Sequence, residues 1–378
     1  MERSQASQFI FDLLQLLISR GGSDLFITAD FPPALKVDGL IVKVSEQKLT
    51  PEHTASLARA IMNDYQITEF ERTKECNFAI SPIDIGRFRV NAFMQRGSIG
   101  LVFRVIPDKI PSVQELGLPL VLNELIMNKR GLIIVVGGTG SGKTTSLAAM
   151  LDWRNEKSNG HIITVEDPIE FVHQHKGCIV TQREIGLDTD SWDTALINAL
   201  RQAPDVVLMG EIRNREAMEL AINFSETGHL CLATLHANNS NQAIDRMIKF
   251  FPDEAHDQLL SEISLNLRAL ISQRLIPKQA GKGRVAAVEV MLNSPLIADL
   301  IAKGDVVEIK EVMKRSRASG MQTFDHALYD LYESDQITYD DALRNADSVN
   351  DLRLQIKLNS DRAHKEQPMA PIALGVKA

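Results

Sequence analysis

The chain has 378 residues, 44% of them hydrophobic and only 5% aromatic, with a formal net charge of −8. This length suits two domains plus a small appendage, and the acidic balance argues against a surface that grips nucleic acid throughout. The three scattered cysteines, Cys76, Cys178 and Cys231, lack CxxC spacing, which argues against a disulfide framework or a zinc site and fits a reducing cytoplasm.

The N-terminal stretch MERSQASQFIFDLLQLLISRGGSD carries an apolar stripe of Phe9, Leu13, Leu16 and Leu17, broken by Asp12 and Gln15. It has no small-residue cleavage site and reads as an amphipathic helix ended by Gly21-Gly22, not as a signal peptide. No run reaches the ~18 apolar residues of a membrane span. Residues Leu25, Ile27, Leu35, Val37, Leu40, Val42 and Val44 then alternate as in strands, with turns at Pro32-Pro33 and Asp38-Gly39. Thr50 is the expected N-cap of a second helix, with Pro51 at its first position and Leu57, Ala60 and Ile61 on its apolar face. Strands return over residues 75–106, so residues 1–105 read as a small α+β domain. Pro107, Pro111 and Pro119 mark residues 106–119 as a linker.

Strands expected at Leu132–Val136, Ile162–Val165, Val206–Met209 and Leu230–Thr234 alternate with helical patterns, the signature of a mostly parallel α/β sheet spanning residues 120–295. A long helical pattern runs from Asp253 to Arg274, followed by a Gly/Lys-rich turn at 279–284 and the strand-like VAAVEVML. Residues 296–358 read as several helices, and 359–378, polar at first and without periodicity, as a disordered tail.

The chemistry gathers at LIIVVGGTGSGKTTS, residues 132–146. A buried strand leads into Gly137-x-x-x-x-Gly142-Lys143-Thr144, and a helix follows. Gly137, Gly138, Gly140 and Gly142 let the backbone aim its N–H groups at phosphate oxygens. Lys143 reaches the β- and γ-phosphates, the Thr144 hydroxyl suits Mg²⁺, and the helix start favours the same anions. Beyond it, Glu166 ends the strand of Ile163–Asp167, where a carboxylate can orient or deprotonate a water. Glu211 follows the apolar strand Val206–Met209, as an acid that holds Mg²⁺ through water or polarises the attacking water. His229 and His236 flank the strand between them, seven residues apart, and so cannot jointly bind one metal. His236 lies at the carboxyl end, placed to sense a γ-phosphate. Arg89 and Arg104 lie on first-domain strands, and an arginine from another domain or subunit would complete the charge neutralisation that phosphoryl transfer uses.

Taken together, GGTGSGKTT, ITVEDPIEFVH, NALRQAPDVVLMGEIRN and TGHLCLATLHAN resemble the Walker A, Asp, Walker B and His boxes of the secretion-type ATPases of type IV pilus and type II secretion machines, over residues 5–355. The resemblance implies an α/β fold with a RecA-like P-loop ATPase domain, a smaller N-terminal PAS-like α+β domain and a helical C-terminal part. It implies hexameric rings that bind ATP and Mg²⁺ between the domains. On this reading Gly137, Gly138, Thr139, Gly140, Ser141, Gly142, Lys143, Thr144 and Thr145 hold the nucleotide, and Thr144 and Glu211 hold Mg²⁺. Glu166 is then the catalytic acid, Glu211 the Walker B glutamate, Arg89 and Arg104 the arginine fingers, and His229 and His236 the His box.

Two departures narrow the resemblance to the PilT/PilU family of retraction ATPases, and within it to the accessory type. The chain lacks the four-cysteine element usual in assembly and secretion members. Where the principal retraction motors read Ala-Ile-Arg-Asn-Leu-Ile, it reads Leu296-Ile297-Ala298-Asp299-Leu300-Ile301. The apolar positions remain, while a positive surface gives way to a negative one. The expected partners are further copies of this chain, a PilT-type paralogue and an inner-membrane pilus platform protein, at the cytoplasmic base of the pilus, with no nucleic acid. Two other readings are a RecA-like nucleic-acid motor and a regulatory subunit that holds nucleotide with little turnover.

Overall fold

The computed structural model describes residues 2–107 and 109–366. The chain divides into two units: Met1–Ile110 with Pro168–Gln174 and Gly186–Asp188, and Pro111–Asp167 with His175–Ile185 and Thr189–Ala378. The short stretches 168–174 and 186–188, read from sequence as part of the second domain, thus cluster with the first.

The first unit is built on a fully antiparallel six-stranded sheet, in the order β3-β2-β1-β6-β5-β4. Its strands are β1 (Asp24–Ile27), β2 (Ala34–Val37), β3 (Leu40–Lys43), β4 (Glu75–Ile80), β5 (Arg87–Gln95) and β6 (Ser98–Ile106). Helices α1 (Arg3–Ser19), α2 (Pro51–Ile61) and α3 (Asp64–Thr73) complete it. The core joins Ile10 and Leu14 of α1 to Leu57, Phe88 and Phe103. The apolar face of α1 is rotated from the expected stripe. Ile10, Leu13, Leu14 and Leu17 are buried at i, i+3, i+4 and i+7, whereas Phe9 and Leu16 are half-buried. Thr50 caps α2 as expected, accepting from His53 N at 3.3 Å, while His53 Nδ1 accepts from Thr50 N at 3.2 Å. Asn63 and Gln66 make a second capping box that opens α3, a helix the sequence reading did not separate. The alternation at Leu40 and Val42 does not bury them, because β3 is an edge strand exposed along all four residues.

The second unit carries a seven-stranded sheet, in the order β13-β12-β7-β11-β10-β8-β9. The strands are β7 (Gly131–Val136), β8 (Gly160–Glu166), β9 (Cys178–Glu184), β10 (Val206–Met209), β11 (Leu230–Leu235), β12 (Leu267–Pro277) and β13 (Arg284–Leu292). All pairs are parallel except β12–β13. Strands β7, β10 and β11 are buried at every position, as unbroken apolar runs in a sheet covered on both faces must be. One face packs α4 (Val121–Leu125) and α5 (Lys143–Lys157). The other packs α6 (Trp192–Ala199), α7 (Arg215–Glu226), α8 (Ser240–Ile248), α9 (His256–Asn266), α10 (Pro295–Ala302) and α11 (Ile309–Arg315). A further cluster joins the end of the β12–β13 hairpin to α12 (Phe324–Glu333), α13 (Tyr339–Asn345) and α14 (Val349–Asn359).

Two expectations are corrected here. The helical pattern over Asp253–Arg274 stops at Asn266, where Leu267 turns to extended backbone and β12 begins. Pairing with both β7 and β13 buries Ala269 to Gln273, and that tertiary burial overrides the local helical spacing. The tail expected from residue 359 is structured at its start: α15 spans Asp361–Glu366 and Ser360 is fully buried. Arg362 donates to the carbonyls of Tyr332 (2.7 Å) and Ile337 (3.1 Å) and stacks over the Tyr332 ring at 4.3 Å. The remainder of that expectation, 367–378, lies outside the described residues.

Candidate active site

The loop between β7 and α5 is shaped by contacts that only glycine permits at two positions. A Cβ on Gly137 would lie 2.4 Å from Ser141 Oγ and 2.7 Å from the Gln273 carbonyl oxygen. Gly142 has φ +89°, and a Cβ there would lie 2.7 Å from Gln273 Nε2. At Gly138 there is open space, so a side chain would fit. Lys143 Nζ lies across the loop and donates to the carbonyls of Gly137 and Gly138, both at 2.9 Å. Lys143, Thr144 and Thr145 form the first turn of α5, whose outward N–H groups and positive helix end suit an anion. Ser141 Oγ is buried and has no hydrogen-bond partner among the described residues, a donor left for a ligand.

Two cavities flank this loop. One of about 500 Å³ is lined by Gly142, Thr145 and Ser146 together with Gln114, Leu118 and Arg284, with room for a base and sugar. The other, about 510 Å³, is lined by Gly137, Gly138, His236, Asn238, Arg246 and Lys249. Loop, cavities and orphaned hydroxyl together fit a nucleotide whose phosphates lie on the glycines.

The acids stand at the carboxyl edge of the parallel strands, where such sheets bind ligands. Glu211 follows β10 and is largely buried. One of its oxygens lies 3.1 Å from His236 Nε2, and the other accepts from Arg213 Nε at 2.9 Å. Ile212 N donates to Thr234 O at 2.9 Å, and Thr234 Oγ1 donates to Gly210 O, tying this turn to the end of β11. Gly210 packs so closely that a Cβ would lie 2.7 Å from the Trp192 ring. Glu166 ends β8, buried, and Oε1 accepts from Thr164 Oγ1 at 2.7 Å and Gln182 Nε2 at 3.3 Å. Since β11 and β10 intervene, β8 runs about 14 Å from the strand that feeds the loop.

The two histidines part company. His236 leaves the carboxyl end of β11 beside the loop. His229 sits at the amino end, separated from His236 by a six-residue strand, about 20 Å. Within its own chain it therefore lies at the opposite end of β11 from the phosphate loop. Its Nδ1 lies 3.0 Å from Thr227 Oγ1 and 3.2 Å from Phe224 O, and its ring meets Phe224 edge-on. Those contacts cap the end of α7.

In the first unit, Arg89 and Arg104 face each other across β5 and β6, both exposed. Arg104 Nε pairs with the buried Asp24 at 2.8 Å. Like charges opposite each other in a sheet repel, and Asp24 offsets this for Arg104 alone. Three polar residues of β12 escaped the sequence reading: Ser272, Gln273 and Arg274. Gln273 Oε1 accepts from Ser146 Oγ at 2.7 Å and so buttresses α5. The signal was available, since these residues interrupt an otherwise apolar run. On α10, Ile297 and Ile301 are buried, while Asp299 is exposed and pairs with Lys303 at 2.7 Å.

The sequence matches the model of the type II/IV secretion system protein family over residues 6–338. The chain belongs to this family. It is 58% identical to the type IV pilus ATPase PilU of Pseudomonas aeruginosa, covering 92% of this chain and 91% of that one. It is 42% identical to the type IV pilus retraction ATPase PilT of the same organism, over 89% of this chain and 98% of that one. Among solved structures, the pilus retraction motor PilT with bound ADP superposes with a TM-score of 0.85 at 40% identity, covering 91% of this chain and 99% of that one. The Legionella pneumophila ATPase DotB gives 0.70 at 26% identity, over 89% of this chain and 94% of that one. Like its relatives in the type II/IV secretion system protein family, this chain is a P-loop ATPase that binds nucleotide.

Proposed function

We propose that this protein is a hexameric motor of the type IV pilus machine, hydrolysing ATP to drive or assist pilus retraction as an accessory to a PilT-type paralogue. The observation that supports this reading is that Lys143, Thr144, Glu166, Glu211 and His236 stand at one sheet edge, in a chain 58% identical to a pilus ATPase of the PilU type. The surface of α10 supports the accessory role, because Asp299 and Lys303 neutralise each other where a motor of the principal type presents positive charge.

In this mechanism the loop amides of Gly138 to Thr145 cradle the phosphates, and Lys143 exchanges its two carbonyl partners for phosphate oxygens. Thr144 and Glu211, the latter through water, would hold Mg²⁺, which neutralises charge on the phosphates. Glu166 is kept rigid by Thr164 and Gln182 and takes the proton of the attacking water, directly or through a further water. His236 reads the γ-phosphate and reports to Glu211 through their 3.1 Å contact. Arg89 and Arg104 supply guanidinium groups in the assembled ring, which makes hydrolysis depend on domain position. The ring docks on an inner-membrane platform protein from the cytoplasmic side.

The test is steady-state ATP hydrolysis by the purified chain, alone and mixed with a PilT-type paralogue, with Glu211→Ala as control. Turnover lost in the variant supports an ATPase motor, and stimulation in the mixture supports the accessory role. No turnover in either mixture would move the reading to a nucleotide-holding subunit.

A further inference from the structure

Strand β12 has a second polar contact system beyond its buttress of the phosphate loop. Successive strand residues face opposite sides of a sheet, so Gln273 turns toward α5 while Ser272 and Arg274 turn toward α8. Ser272 Oγ donates to Glu289 Oε1 at 3.1 Å, and the same oxygen accepts from Ser240 N and Ser240 Oγ, both at 2.8 Å. This fixes the first residue of α8.

Arg274 fixes the turn just before it. Nη2 donates to the Asn238 carbonyl at 3.2 Å and pairs with Asp347 Oδ1 at 2.7 Å. Nη1 donates to the carbonyl of Asn345, the last residue of α13, and the guanidinium lies 3.9 Å from the Phe324 ring centre. Asp347 is held in turn by Lys310, and its N–H donates to Asp325 Oδ1 at 2.8 Å. One planar fork therefore joins the turn of residues 236–239 to α12 and α13, using donors in fixed directions that no other side chain reproduces.

That turn begins with His236, which contacts Glu211 and lines the cavity beside Gly137 and Gly138. We infer that Arg274 is a positioning residue for ATP hydrolysis, holding the His236 turn in register with the C-terminal helices so that the site and those helices respond to each other. Phosphate binding rests on the loop and α5, which Arg274 does not touch. Hydrolysis and nucleotide affinity should therefore separate when Arg274 is changed.

The experiment uses the full-length chain with Arg274→Ala, Arg274→Lys and Asp347→Asn, measuring kcat and ADP affinity. We expect kcat to fall about tenfold in Arg274→Ala and less in the other two, with ADP affinity within about twofold throughout. Unchanged kcat in Arg274→Ala, or kcat and ADP affinity falling together in Arg274→Lys and Asp347→Asn, would overturn the assignment. These two milder variants decide the matter if Arg274→Ala does not fold. Hydrogen exchange gives a second readout that needs no turnover. A non-hydrolysable ATP analogue should protect residues 339–348 in the unsubstituted chain and not in Arg274→Lys, whereas equal protection in both would refute the coupling.

Discussion

Glu289 is fully buried on β13, and only one of its oxygens has partners among the described residues. Burial pushes its carboxyl above the ordinary value of 4.5, opposed by Lys310 and the Ser240 donors and reinforced by Asp347. A raised carboxyl keeps its proton in the folded chain at a pH where the unfolded chain has lost it. The stability this brings is complete below about pH 4.5 and is lost as pH rises through the folded value. Glu289→Gln keeps the oxygen that accepts from Ser240 and Ser272 and is neutral at every pH. Its stability relative to the unsubstituted chain should therefore climb with pH by roughly 1–2 kcal/mol per unit within that window. In a unit of this size that is about 2–5 °C of Tm per pH unit. Paired thermal melts of the two proteins from about pH 5 to about pH 8 measure it. A difference constant with pH, or one that falls, would refute a neutral Glu289. Glu289→Ala is a different perturbation: it strands Ser240 N, Ser240 Oγ and Ser272 Oγ and opens a cavity, a loss of about 3–5 kcal/mol at low pH that shrinks with rising pH by the same slope, because the titrating carboxyl is gone.

Further outcomes follow from the site and from the paired arginines and histidines. Gly142→Ala puts a Cβ at φ +89° and 2.7 Å from Gln273 Nε2, so nucleotide affinity, measured by titration, should drop at least about tenfold, with about 1–2 kcal/mol lost in stability. Arg104→Ala leaves the buried Asp24 carboxylate without its guanidinium and should lower turnover and also cost about 1–3 kcal/mol of stability, read as a lower melting temperature. Arg89→Ala, at an exposed position, should lower turnover alone, and equal losses of stability in the two would contradict their separate surroundings. His236→Ala should cut kcat about a hundredfold, while His229→Gln should cost about 1 kcal/mol of stability and leave hydrolysis by its own subunit within about twofold.

The parts of this protein legible in its sequence are those decided by neighbours along the chain. The strand, glycine loop and helix around Lys143 follow from spacing alone, because each residue's role depends on backbone within a few positions of it. The Thr50-Pro51 helix start is of the same kind, since its bonds close within three residues. The ends of β10 and β11, and with them Glu211 and His236, were marked by apolar runs buried on both faces.

What tertiary structure decided involves partners far apart in sequence. Residues 267–277 carry a pattern that serves helix or strand, and only the places vacant beside β7 and β13 make them a strand. The order β12-β7-β11-β10-β8 sets how far Glu166 stands from Lys143, and no local pattern encodes it. Gln273 meets Ser146 across 127 residues and Arg274 meets Asp347 across 73. A hydrogen bond becomes worth making in a low-dielectric interior, and which groups share that interior is settled when the sheet closes.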